Sequence, residues 1–204
     1  MVSGYKIWSD IGMTMKHAKV KFVFLLAIIS CQSIVASSQQ GEYAIQNLVE
    51  DSERRLAVGH QVALAKWDSR SSVEDPVREI QVLQNAVKEG KSKGLDDSLI
   101  TNFFRAQIEA NKVVQYSLLA EWRRTGRAPK HLPLDLQSTI RPELDEIQTS
   151  LIRDLIQTSK VRSNPECPVI VAKAIGQYLA RQHKSRTDLN AIALDRSMAA
   201  ACAN

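Results

Sequence analysis

Residues 54–67 read RRLAVGHQVALAKW, and after a short polar break residues 71–79 read SSVEDPVRE. The first run has no helix breaker but one glycine, and its apolar residues recur at helical spacing. The second carries an acidic residue, Asp75, followed by proline, which suits the first turn of a new helix. Together they predict the end of one helix, a tight reversal and the start of another. Arg55 and Lys66 are three helical turns apart and share a face, with Gly59 and Val62 on the line between them. Two long cations therefore bracket a floor of small side chains about 16 Å long at ~1.5 Å rise per residue. Such a concavity suits a small, multiply charged anion. A solvated helix face is the competing reading of the same two residues.

Working outward, the helical pattern continues in both directions. Apolar residues at Ile45, Val49, Leu56, Ala63 and Trp67, with Ser52 among them, make the stripe of the first helix. Asp75 or Ser72 is the expected N-cap of the second helix, a role that can coexist with ligand binding by Asp75. The second helix is expected to reach about Glu89, with Val77, Ile80, Leu83, Ala86 and Val87 inward and Gly90 and Gly94 ending it. A third runs from about Asp96 to Arg124 on the stripe Ile100, Phe104, Ile108, Leu118 and Trp122. On or beside that stripe stand Gln107, Asn111 and Gln115. Amides there cost stability unless partnered, so they are either core groups bonded to neighbouring helices or a polar wall facing the cations.

The linker TGRAPKHLPLD (125–135) then turns the corner. A fourth helix is expected from Ser138 to Val161, with Arg141 at its start, and a fifth from Pro168 to His183. A sixth is capped by Thr187 or Asp188 and ends at Cys202. The expectation is an all-α, six-helix single domain with no strand or repeat.

The N-terminus has the layout of an export signal. Lys16, Lys19 and Lys21 precede the apolar run FVFLLAII (22–29), and SIVASSQQ supplies small residues for cleavage after Ala36 or Ser37. That gives a signal peptide over 1–37 and a mature domain over 38–204, periplasmic or secreted, with no membrane attachment after cleavage. Cys31 raises the alternative of a lipoprotein, but Ile28-Ile29-Ser30 is a poor match to the small residues that such a signal needs. Cys167 and Cys202 remain in the mature chain, and an even pair in an exported protein reads as one C-terminal disulfide.

Removing residues 1–37 leaves 23 basic against 21 acidic residues, too balanced for a nucleic-acid surface. Aromatic residues are not interleaved with basic ones as base stacking would need. There is no Gly-rich phosphate loop, and no His, Cys and carboxylate cluster at metal-ligand spacing. His17, His60, His131 and His183 are scattered, and no serine or cysteine nucleophile has a recognisable partner. An enzyme built on this chain is expected to use no metal, cofactor or covalent intermediate.

Taken together, RRLAVGHQVALAKW, VEDPVRE, FFRAQIEANKVVQYSLLAEW (103–122), the arginine of STIRPELDEI (138–147) and the late cysteine pair resemble the exported, all-helical chorismate mutases. The resemblance runs from about Arg54 to Cys202. It implies conversion of chorismate to prephenate, a step of aromatic amino acid biosynthesis. It implies that Arg55 and Arg141 bind the substrate carboxylates and that Lys66 contacts the ether oxygen and a carboxylate. Asp75 would sit near the ring hydroxyl, and Arg78 would bind a carboxylate or support the site. Asn111, where the family often has threonine or another small polar residue, and Gln115, where it has Glu or Gln, would bind the substrate too, and Lys66, Gln115 and Arg55 would be the catalytic residues. A homodimer with each site inside one chain is implied as well. The alternative is an exported, non-catalytic helical protein that binds an acidic ligand or a host partner.

Overall fold

The computed structural model describes the backbone of residues 15–183 and 188–202, and the side chains of 41, 43–183 and 188–202. It divides into two units, Met1–Gln40 and Gly41–Asn204. The expected basic and apolar parts of the export signal, and Thr187 as an alternative cap, lie outside the described side chains. No helix among the described residues is long and apolar enough to cross a membrane.

The helices are α1 (Met15–Ser69), α2 (Pro76–Ser92), α3 (Asp97–Thr125), α4 (Arg141–Gln157), α5 (Ser159–Arg162), α6 (Cys167–Arg181) and α7 (Leu189–Ser197). A π-helical turn, Leu136–Ile140, precedes α4. The all-α expectation holds. Helix α1 starts earlier than its apolar stripe, because no proline occurs before Pro76. Asp75 caps α2 by accepting from Arg78 N at 3.1 Å, and Asp96 caps α3 by accepting from Ser98 N and Leu99 N.

Seven helices among the described residues replace the expected six, because the fourth is interrupted at Thr158. The Thr158 hydroxyl donates to the carbonyls of Asp154 (2.7 Å) and Leu155 (3.3 Å), competing with the helical ladder there. The start of that helix differs too. Pro142 has no N–H to give, and in the turn before it Ile140 N reaches back to Asp135 O at 3.2 Å. This wide turn, capped by the Asp135 carboxylate, sets Arg141 at the head of α4.

Two further expectations are corrected in α2. Val77 and Ile80 are 69% and 54% exposed, because the inward face of this helix is rotated onto Glu79, Val82, Leu83 and Ala86. Gly90 lies inside the helix and does not end it. It is buried against Ile100, where a Cβ would come within 2.5 Å of Ile100 Cδ1. The chain turns instead at Gly94, whose φ of +84° suits glycine.

One core joins Ile45, Leu48, Val49 and Leu56 of α1 to Phe103 and Phe104 of α3, Ile147, Leu151, Ile152 and Leu155 of α4, and Ile175 and Leu194 of α6 and α7. Each fully buried side chain of this size contributes about 1.5–3 kcal/mol. A smaller cluster of Ala63, Val73, Leu119 and Trp122 closes the far end of α1, with Trp67 edge-on to Trp122 at 6.0 Å. Cys167 and Cys202, 35 residues apart, form the expected disulfide. Restricting the unfolded chain in this way contributes roughly 3–4 kcal/mol in the loop-entropy model.

Between α1 and α4 two carboxyls meet below the surface. Asp154 is fully buried, one of its oxygens has no hydrogen-bond partner, and Asp51 is its neighbour. Burial, and then the charge of Asp51, push the Asp154 carboxyl up to about 6. A carboxyl whose folded value is raised contributes its stability at low pH and loses it as pH climbs through that value. Asp154→Asn is therefore expected to flatten the fall in stability between about pH 4 and about pH 7, by on the order of 1–3 kcal/mol at the alkaline end. Parallel Tm curves for the two proteins would contradict the assignment.

Candidate active site

Helices α1, α2, α3 and α4, together with the π turn, enclose a cleft of about 110 Å³. Its wall contains Arg55 and Lys66 from α1, Asp75 and Arg78 at the start of α2, Asn111 and Gln115 from α3, and Arg141 of α4. All seven residues singled out in the sequence therefore reach one cavity. Val62, Val82, Ile108, Ile140 and Leu144 make its apolar part.

Arg55 is 5% exposed, and its Nε is buried without a partner. Burial, and then the nearby Arg78, bring its guanidinium down to about 10, against a smaller opposing effect of Asp145. Lys66 is also buried, and its Nζ donates to Val73 O at 2.6 Å. Burial lowers its affinity for a proton, while Asp75, Glu79 and Glu74 work the other way. Both cations are thus short of negative charge. Arg78 gains little from Asp145, 3.6 Å away and largely exposed. Arg141 Nη1 donates to Gln137 Oε1 in the preceding turn.

The three α3 amides separate into two roles. Gln107 Nε2 donates to Ser52 Oγ (2.8 Å) and Ser197 O (3.3 Å), which makes it a core amide linking α1, α3 and α7. Asn111 Nδ2 donates to the Arg55 carbonyl at 2.9 Å, and Gln115 Nε2 donates to Asn111 Oδ1 at 2.7 Å. The latter two face the cations, and Gly59 lets them do so. A Cβ on Gly59 would lie 2.8 Å from Asn111 Nδ2.

Sequence reading missed Glu79 and Lys112, which also line the cleft. Lys112 Nζ lies 2.8 Å from Glu109, 3.1 Å from Glu74 and 3.3 Å from Glu79. Burial alone would lower it, but the hydrogen bonds to Glu109 and Glu74 hold this ammonium above the ordinary lysine value. Tyr116 donates to Glu74 at 2.7 Å, so Lys112 and Tyr116 fasten the loop before α2 onto α3. Glu79 Oε1 is buried and unpartnered. The signal was available: Glu79 is one helical turn beyond Asp75, and Lys112 is one turn before Gln115 on the face already singled out. The cleft thus has five cations and two carboxylates in its wall, a balance that favours a small dianion.

A wider opening of about 550 Å³ lies beside Lys66, with Trp67, Asp68, Arg70, Ser71, Leu119 and Arg123 around it. Arg70 and Arg123 are exposed, and Asp68 pairs with His131. The smaller cleft is where buried, unpartnered polar groups converge.

The crystal structure of chorismate mutase from Burkholderia phymatum is 39% identical to this chain with a TM-score of 0.75, covering 80% of this chain and 99% of that one. The chain belongs to the chorismate mutases. Chorismate mutase from Burkholderia thailandensis is similar as well, at 33% identity and TM-score 0.73, over 78% of this chain and 99% of that one. The family model described as chorismate mutase type II matches residues 46–116, which span the part of α1 holding Arg55 and Lys66, α2, and α3 as far as Gln115. The secreted chorismate mutase of Mycobacterium tuberculosis is 24% identical over 164 residues, 80% of this chain and 82% of that one. Arg141 and the disulfide fall beyond the residues that the family model matches.

Proposed function

We propose that this chorismate mutase rearranges chorismate to prephenate in the cleft between Arg55, Lys66 and Gln115. The observation that carries the reading is the set of buried, under-neutralised cations beside an amide. The reaction is a unimolecular Claisen rearrangement in which a C–O bond breaks as a C–C bond forms. It needs no nucleophile and no proton in transit. A protein can help by holding the enolpyruvyl arm over the ring and by stabilising charge that builds on the ether oxygen.

In this reading Arg55 and Arg141 clamp the two carboxylates, with Arg78 beside them. Lys66 and the Gln115 amide approach the breaking bond from α1 and α3. Asp75, with one oxygen committed to the α2 cap, and Glu79, whose Oε1 is unpartnered, offer acceptors to the ring hydroxyl. A homodimer that keeps each site inside one chain is part of the same reading. Residues 1–37 act as a cleaved export signal and the mature enzyme works outside the cytoplasm, a reading supported by relatives named secreted chorismate mutase.

The test is loss of chorismate absorbance with the exported, disulfide-bonded protein, alongside N-terminal sequencing of the secreted product. Prephenate formation is expected, and binding of a non-reactive dicarboxylate analogue should raise Tm, because it neutralises Arg55 and Lys66 only in the folded state. A folded protein that binds the analogue without turning over chorismate would favour a non-catalytic binder.

A further inference from the structure

The buried amides of α3 form a chain with a fixed polarity, and its origin is a main-chain atom. We infer that Asn111 is a positioning residue, which uses the Arg55 carbonyl to hold the Gln115 amide with an N–H available to the reacting atoms. This rests on the reading of Gln115 as donor to the ether oxygen. The resemblance would have Asn111 touch the substrate itself, and the geometry assigns it a different task.

A side-chain amide can be turned end for end, so whether Gln115 offers N–H or C=O is decided by its neighbours. Its Nε2 lies 2.7 Å from Asn111 Oδ1, and the reversed amide would set two acceptor oxygens face to face. Reversing Asn111 as well would relieve that contact but would turn its own oxygen onto the Arg55 carbonyl, where its Nδ2 now stands at 2.9 Å. That carbonyl belongs to the backbone of α1 and cannot reverse. Asn111 thus transmits the polarity of a helix carbonyl to Gln115. One Gln115 N–H is used in this chain and the other remains uncommitted, while Gln115 Oε1 is buried without a partner. Gly59 completes the device, since a Cβ would occupy the space of Asn111 Nδ2 at 2.8 Å.

A residue acting through Gln115 has a kinetic signature that a direct ligand lacks. An interaction made only in the transition state lowers kcat, whereas a lost substrate contact raises KM. Asn111→Ala is expected to lower kcat roughly ten- to hundredfold, by misplacing the donor, with KM for chorismate close to that of the parent. In a Gln115→Ala background the same substitution should change kcat by less than about twofold, because residues acting as a unit are not additive. Gly59→Ala approaches the same contact from α1, removes no polar group and adds helix propensity. It should also slow the parent and spare the Gln115→Ala variant, and it serves in the cycle if Asn111→Ala does not fold. Additive losses in the double variants, or a raised KM with kcat intact, would overturn the positioning role. An unchanged kcat in Gln115→Ala alone would instead remove the donor reading beneath it.

Discussion

Lys66→Ala is expected to lower kcat/KM by on the order of 10²–10³, the usual cost of removing one preorganised donor from a developing oxyanion. Lys66 brings to this site a compact positive charge on a largely buried side chain. Its ammonium has three donors, and one is engaged at Val73 O, 2.6 Å away. That bond ties the loop before α2 to α1 and aims the remaining donors into the cleft. Lys66→Arg should recover little, because a planar fork does not replace a point charge in a cavity of about 110 Å³. The pH profile offers a second check. Burial lowers the Lys66 value, and a bound dianion would push it back up. Activity should therefore decline on the alkaline side in kcat/KM before it declines in kcat, since the first reports the free enzyme and the second the complex. Parent-like turnover by a folded Lys66→Ala would leave the family membership standing and discard this site.

The cleft was legible in the sequence because it rests on helical periodicity, which survives as long as the helices do. Arg55 and Lys66 face the same space because eleven residues make three turns, and Asn111 and Gln115 because four make about one. Less legible was anything set by how one helix rotates against another. Val77 and Ile80 look like an inward stripe, yet the first two turns of α2 give their inner face to Glu79 and Val82, and the two apolar residues are exposed. Gln107 matches Asn111 and Gln115 in type and spacing, and only the proximity of Ser52 and Ser197 separates the core amide from the site amides. The break at Thr158 and the wide turn before Pro142 came from local competition for carbonyls, which periodicity does not register. Lys112 was overlooked because a lysine on a helix face is ordinarily solvated, and its three carboxylate neighbours come from α2, from the loop before it and from one turn back on α3.

Gln115→Glu should be the most informative single change at neutral pH, with an expected loss again on the order of 10²–10³. The amide donates at every pH, so the parent should show activity nearly flat from mildly acidic to neutral conditions. A glutamate donates only when protonated, and the cations around the cleft favour its charged form. Activity of the variant should therefore climb as pH falls. Counting donors limits the recovery. The Gln115 amide has two N–H groups, one on Asn111 Oδ1 and one for the ether oxygen, whereas a neutral carboxyl has a single O–H for both. Asn111 cannot turn to help, because its other end is held by the Arg55 carbonyl. The acid optimum of Gln115→Glu should thus remain below the parent's rate. Equal activity at pH 7 would refute the donor role, and full recovery at acid pH would show that Asn111 Oδ1 does not compete for the proton.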